Sequence, residues 1–432
     1  MVCRILSIHL PAEDPSATVM TALSNPRLET LFDYPFERLR RLLAPLDPPA
    51  GVVPLSLAPG DPQHQPPPLL APALAGEAAH WNSYPPLRGT DRFRTSCHRW
   101  IGRRFGAAAQ GAVDHDRGIL PVSGTREALF LASLLAVPNT KSDPQPAVLI
   151  PNPFYAAYEG AAVMAGAEPV FLPATEATGF LPDLTTIDGA TLHRTALFYL
   201  CTPTNPQGAV ASPAYLADAL ALARRHGFIL ALDECYSEIY FGAEPPAGGL
   251  AVAAAMANGG LENLLVFHSL SKRSSAAGLR AGFVAGAPDL IDAFARLRGY
   301  SAASMPLPIQ AAAAALYDDD AHVAANRARY AEKVTAVGQA LGNRVPHRLP
   351  AAGFFLWLDV SPLGFSGEAA TKRLWTEAGL RVLPGAYLTR PGADGRNSGD
   401  DFIRIALIHD TDTVADAMMR LADTLVCSSA AA

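Results

Sequence analysis

Ser269-Leu270-Ser271-Lys272, with Arg280 eight residues further on, follows the apolar run Leu264–His268. A lysine set directly behind a buried strand carries a charge that is costly to desolvate without a reason. Condensation of its amine with an aldehyde, giving a Schiff base, supplies one, since the same amine then serves as general base and acid. Ser269 and Arg280 both have the reach for a phosphate, Arg280 as a two-pronged donor. Taken alone, the stretch also reads as a surface loop with ordinary basic residues.

Three further stretches lie upstream. Asp233 ends the apolar run Phe228–Leu232, with Tyr236 three residues on. Open α/β sheets place ligands at the C-terminal ends of their strands. A carboxylate there pairs with a protonated pyridine nitrogen and keeps such a ring an electron sink, while Tyr236 donates to the ring's phenolic oxygen. The plainer alternative is a capping aspartate beside a packed tyrosine. Pro203-Thr204-Asn205-Pro206-Gln207-Gly208 follows the run Ala196–Leu200; two prolines and a glycine stiffen this turn and present the amide of Asn205. Ser123-Gly124-Thr125-Arg126-Glu127-Ala128-Leu129 opens a helix whose first N–H groups form an anion site, so Gly124, Thr125 and Arg126 are candidates for a phosphate.

Between Thr125 and Ala285, short apolar runs (Ala147–Ile150, Ala196–Leu200, Phe228–Leu232, Leu264–His268, Gly282–Ala285) alternate with helical stretches such as Pro213–Arg225. Strands that are apolar throughout indicate a mainly parallel sheet covered on both faces. The Pro-rich segment Pro45–Pro72 predicts a looping crossover rather than a helix. Beyond Leu307 the chain turns Ala-rich and helical, then strand-like at Phe354–Val360 and Phe402–Ile408, which reads as an α+β unit.

The whole chain agrees with a two-domain globular enzyme: 432 residues, 50% hydrophobic and 17% charged. A net charge of −6 without Lys/Arg runs argues against nucleic acid and anionic membrane. No apolar stretch approaches the roughly 20 residues of a membrane helix. Five scattered cysteines, without metal-ligand spacing, predict no metal and a reducing, cytoplasmic setting. Residues 1–19 read as an extension ahead of Met20, and the Ser-Ser-Ala-Ala-Ala end as frayed.

The four stretches together, in the order phosphate turn, Asn turn, Asp/Tyr strand end, Lys and Arg, resemble the class I/II aminotransferases, fold type I pyridoxal-phosphate enzymes. The 28 residues from Asn205 to Asp233 and the 39 from Asp233 to Lys272 look like that family's spacing. The resemblance implies a large domain with a seven-stranded sheet sandwiched by helices and a smaller α+β domain. Its expected boundaries are 1–24 extension, 25–75 N-terminal small-domain part and crossover, 76–306 cofactor domain, and 307–428 C-terminal small domain. It implies pyridoxal 5'-phosphate as cofactor, with Lys272 catalytic and Gly124, Thr125, Arg126, Tyr155, Asn205, Asp233, Tyr236, Ser269 and Arg280 around it. Arg404, Asn205 and Gly60 match substrate-binding positions. Tyr84 matches a tyrosine that reaches the phosphate of a neighbouring subunit, which implies a homodimer with shared sites acting on small amino and 2-oxo acids. An arginine between apolar strand residues, as Arg404 is, also needs a buried anion on physical grounds.

Within the family, Tyr34-Pro35-Phe36-Glu37-Arg38, Asp233-Glu234-Cys235-Tyr236 and Leu383-Pro384-Gly385-Ala386-Tyr387 resemble proteobacterial N-succinyldiaminopimelate aminotransferases. That branch implies transfer between N-succinyl-L,L-diaminopimelate and 2-oxoglutarate. Ser275-Ala276-Ala277-Gly278 and Gln207 depart from its pattern. Two rivals stay open: a lyase on the same fold, whose chemistry begins with the same proton removal, and a regulatory module. The latter is disfavoured because no basic helix-turn-helix segment precedes the fold.

Overall fold

The structure, a computed structural model, describes residues 24–138, 141, 145–257, 259–392 and 394–426. The readings of residues 1–19 and of the C-terminal Ser-Ser-Ala-Ala-Ala end lie outside the described residues.

Twelve strands occur among the described residues: β1 (Leu55–Ser56), β2 (Ile119–Val122), β3 (Ala147–Asn152), β4 (Glu168–Pro173), β5 (Thr195–Cys201), β6 (Ile229–Asp233), β7 (Leu264–Ser269), β8 (Gly282–Gly286), β9 (Phe355–Asp359), β10 (Leu380–Arg381), β11 (Leu383–Pro384) and β12 (Phe402–Ala406). Seven form one sheet in the order β2-β8-β7-β6-β5-β3-β4. Only β8 runs against its neighbours. The five apolar runs are its five inner strands, each within two residues of its expected bounds.

Period-2 alternation splits every inner strand between two cores. On β7, Leu264 and Val266 face one core and Leu265 and Phe267 the other. Helices Asp91–Phe105, Pro213–His226 and Leu307–Asp318 cover the first face; Thr125–Ala136, Ala156–Ala165 and Pro288–Ser301 cover the second. The expectation overlooked β2 and β4, the two edges. Both are broken by proline (Pro121, Pro169, Pro173), which an edge tolerates because one row of N–H groups is unpaired there.

A third core lies on the antiparallel sheet β11-β12-β9, covered by helices Ala321–Leu341, Gly367–Ala378 and Thr411–Val426. Helix Leu307–Asp318 does not join it: Ala313, Leu316 and Tyr317 pack into the first core. The change of core therefore falls later than the expected boundary at 307, because an alanine-rich helix gives no sign of which core it serves. The segment Pro45–Pro72 is a crossover, interrupted by β1 and closing into helix Leu70–Ala75; β1 pairs with β10.

Candidate active site

The parallel strands end along one edge of the seven-stranded sheet, and a cavity of about 530 Å³ opens between that edge and the core of the smaller sheet. Its walls carry Lys272, Asp233, Asn205, Arg404, Tyr155 and Arg280, together with Gly60, Thr125, Tyr236 and Ser269.

Lys272 sits one turn beyond β7, in the short helix Leu270–Arg273 capped by the Ser269 hydroxyl. Its Nζ donates to the carbonyl of Gly60. Burial outweighs the attraction of Asp61 and holds the amine down at about 8. Such an amine is far more often neutral near physiological pH than a surface lysine. Asp233, the last residue of β6, is buried, and desolvation raises its carboxyl above the usual range. Tyr158 Oη donates to Oδ2 over 2.7 Å and the Cys235 N–H to Oδ1 over 3.2 Å. The Cys235 thiol is a further partner, and a buried acid held by neutral donors alone is suited to a cation facing it from the cavity.

The Asn205 turn follows β5 with cis bonds before Pro203 and Pro206. Asn205 Oδ1 accepts from Arg404 Nη1 over 3.2 Å, while Arg404 Nη2 donates to the Ala58 carbonyl over 2.7 Å. Arg404 lies over the Phe355 ring at 4.4 Å, its Nε has no partner, and burial lowers its guanidinium to about 10. Among the described residues no carboxylate lies within ion-pair distance of it. A buried guanidinium offering donors without an acid is an opening shaped for an anion.

Helix Thr125–Ala136 begins without a side-chain cap, so its first N–H groups point at whatever fills the corner beside them. Gly124, at φ +88°, brings the Arg280 guanidinium so close that any Cβ would overlap it. Ser269 Oγ and Ser271 Oγ, 3.0 Å apart, complete the corner. Uncapped amides, two hydroxyls and an arginine form a donor set without an acceptor of charge, which fits a phosphate. Arg126, the third candidate of the helix start, keeps its backbone there, but its guanidinium donates instead to the hydroxyls of Tyr155 and, at 3.4 Å, Tyr34. Tyr155 is half-buried and its phenol is pushed up to about 12 by burial. Tyr84 stands apart: it is fully exposed and outside the cavity.

The sequence reading missed Tyr158, Ser271 and the Arg126–Tyr34 contact. Tyr158 was legible in principle, since Tyr155 and Tyr158 stand three residues apart at a helix start. The contact with Tyr34 joins residues 92 apart and leaves no local sign.

A mainly parallel seven-stranded sheet that gathers a half-buried lysine, a strand-end aspartate and a corner of anion-seeking donors is the fold type I pyridoxal-phosphate architecture. A family profile described as aminotransferase class I and II matches residues 53–421, and the chain belongs to that family, whose cofactor is pyridoxal 5'-phosphate. It is 32% identical over 411 residues to an LL-diaminopimelate aminotransferase of Desulforudis audaxviator, covering 93% of this chain and 98% of that one. Among solved structures it resembles an aminotransferase from Neisseria meningitidis, with a TM-score of 0.87, 37% identity and 93% and 99% of the two chains covered. It also resembles a probable N-succinyldiaminopimelate aminotransferase from Thermus thermophilus, with a TM-score of 0.76, 25% identity and 90% and 98% covered. Among the described residues no helix is long and apolar enough to cross a membrane.

Proposed function

We propose that this chain transfers the amino group of N-succinyl-L,L-diaminopimelate to 2-oxoglutarate. The observation that carries the reading is a pair of arginines in one cavity, Arg404 and Arg126, neither with a carboxylate in ion-pair distance among the described residues. Two anion grips in one cavity suit ligands with two carboxylates, one at the reacting carbon and one distal. 2-Oxoglutarate has one distal carboxylate and N-succinyl-L,L-diaminopimelate has two, so each offers a distal anion beside the one at its reacting carbon.

In this reading Gly124, Thr125 and the backbone of Arg126 hold the cofactor phosphate with Ser269, Ser271 and Arg280. Asp233 would hold the ring nitrogen, Asn205 and Tyr236 would hold the phenolic oxygen, and Tyr155 would pack on the ring. Tyr84 serves the site of a second copy. The cofactor supplies an aldehyde and an electron-accepting ring. Lys272 takes the α-proton on its neutral Nζ and returns it, and burial is what keeps that amine available. Arg404 and Asn205 orient the α-carboxylate, and Arg126 takes the distal one.

The similarity to LL-diaminopimelate aminotransferases favours a second reading, in which the free diamino acid is the donor and Asp61, on the cavity wall, meets its distal ammonium. Mixing the cofactor-loaded protein with each donor separately distinguishes them. Loss of the cofactor's visible band with the succinylated donor, restored by 2-oxoglutarate, supports the first. Response to the unacylated donor alone replaces it with the second, and ammonia release without any oxo acid would instead mark a lyase.

A further inference from the structure

His64 and Lys333 lie outside the cavity lining, yet they form a polar chain that ends on Lys272. Lys333, on helix Ala321–Leu341, is almost fully buried, and burial pushes its amine down to about 8. Its Nζ donates to His64 Nε2 over 2.6 Å and to the Leu407 carbonyl over 3.3 Å. An ammonium only donates, so Nε2 is bare and the proton of the imidazole sits on Nδ1. Nδ1 then donates to Asn326 Oδ1 over 3.3 Å. This sets the Asn326 amide, whose Nδ2 donates to the carbonyls of Lys272 over 3.0 Å and Arg273 over 3.2 Å. Ser275 Oγ donates to the same Oδ1 over 3.1 Å. Every donor and acceptor in this chain has one consistent direction.

Its structural effect falls on the loop before His64. At the loop's other end, the Ala58 carbonyl accepts from Arg404 and the Gly60 carbonyl from Lys272. Gly60 itself is pressed on Phe355, where an added Cβ would stand 2.6 Å from the ring. The loop is thus held by the cavity's cations at one end and by His64 at the other.

We propose that His64 is a positioning residue, which fixes the main chain of the loop from Ala58 to His64 against Lys272 and Arg404 by bonding Lys333 and Asn326 at once. The groups facing the imidazole are all on the long helix: Asn326, Tyr330 with its ring 5.0 Å away, Lys333 and, electrostatically, Arg329. Asp410 acts on Lys333 rather than on the ring. Burial first and Lys333 second hold the imidazole below its ordinary range. A second proton would remove the acceptor at Nε2 and set two cations side by side, so acid loosens the loop.

Hydrogen–deuterium exchange of the full-length protein, read on the peptide spanning the loop, tests this without any donor, so its failure is separate from failure of the proposed function. His64→Leu should exchange about tenfold faster in the loop, the worth of two hydrogen bonds. His64→Gln offers Oε1 to Lys333 and Nε2 to Asn326, and should stay within about twofold of the wild type. With an active donor, His64→Leu should raise KM about tenfold and change kcat little, and Gln should rescue it. Lys333→Met removes the same anchor from the other side and should also quicken loop exchange if the leucine variant does not fold. Unaltered loop exchange in a folded leucine or methionine variant, or a glutamine variant as fast as leucine, overturns the proposal.

Discussion

Arg404 Nη1 donates to Asn205 Oδ1 over 3.2 Å, tying strand β12 of the smaller sheet to the turn behind β5 of the larger. The two residues come from separate cores, and with Nη2 bonded to the Ala58 carbonyl the guanidinium keeps Nε without a partner. Because the partner is an amide and not an acid, the arginine keeps its full demand for an anion. Replacing Asn205 by Asp should satisfy that demand internally. Asn205→Asp is therefore expected to raise KM for amino donors more than Asn205→Ala does. Arg404→Leu should cost about 2–4 kcal/mol in kcat/KM while cofactor affinity holds. Steady-state kinetics with cofactor titration checks both; a milder effect for Asp than for Ala would contradict the account.

Lys272 carries a testable pH signature in the cofactor-free protein. Its amine titrates near 8 in the folded chain against an ordinary 10.5. Between those values the unfolded chain binds the extra proton, so stability contributed by this group rises with pH across the window, and the cost is full below about 8. Lys272→Met should then be more stable than the wild type by about 1–3 kcal/mol at pH 7, with the gap shrinking toward pH 10. Urea unfolding of both proteins at the two pH values measures it, and a gap that does not shrink with pH speaks against it.

Gly124 tolerates a side chain only if the Arg280 guanidinium is pushed aside. A methyl group there meets the Arg280 guanidinium and must also adopt φ +88°. Gly124→Ala should lower stability by about 1–3 kcal/mol. It should also weaken pyridoxal-phosphate binding at least tenfold, a loss of about 1.4 kcal/mol. Equilibrium dialysis and thermal unfolding report the two effects, and wild-type affinity would mean that Arg280 does not serve the phosphate corner.

Tyr158→Phe keeps the ring and deletes the 2.7 Å hydrogen bond to Asp233. A buried carboxylate that loses a donor is harder to keep ionised, so its proton affinity rises further. A charged hydrogen bond of this kind is worth about 1.5–3 kcal/mol, so kcat should fall at least tenfold and stability should drop by about 1–3 kcal/mol. Unchanged kcat from pH 6 to 9 would show that the ionisation of Asp233 does not limit turnover.

The inner strands were legible because burial on both faces forces them to be apolar throughout, and Lys272, Asp233 and Asn205 stand where those runs stop. The edges were not: β2 is buried but only four residues long and holds Pro121, and β4 is half-exposed with two prolines, so each looks like a loop. Ser275 shows a departure with a physical sense. It adopts φ +46° in the turn behind Lys272, a conformation uncommon for a residue with a side chain, and its hydroxyl is bonded to Asn326. Contacts such as Arg126–Tyr34 or His64–Lys333 join distant segments on different elements, and no periodicity records them.

Lys272 rides on the larger sheet and Arg404 on the smaller, so the span between amine and guanidinium is set by how two bodies dock rather than by either residue. Substitutions along that seam, remote from any reacting atom, alter the reach of the enzyme while its chemistry stays whole. Adaptation to longer or shorter donors thus has a route that never touches the lysine, the aspartate or the phosphate corner.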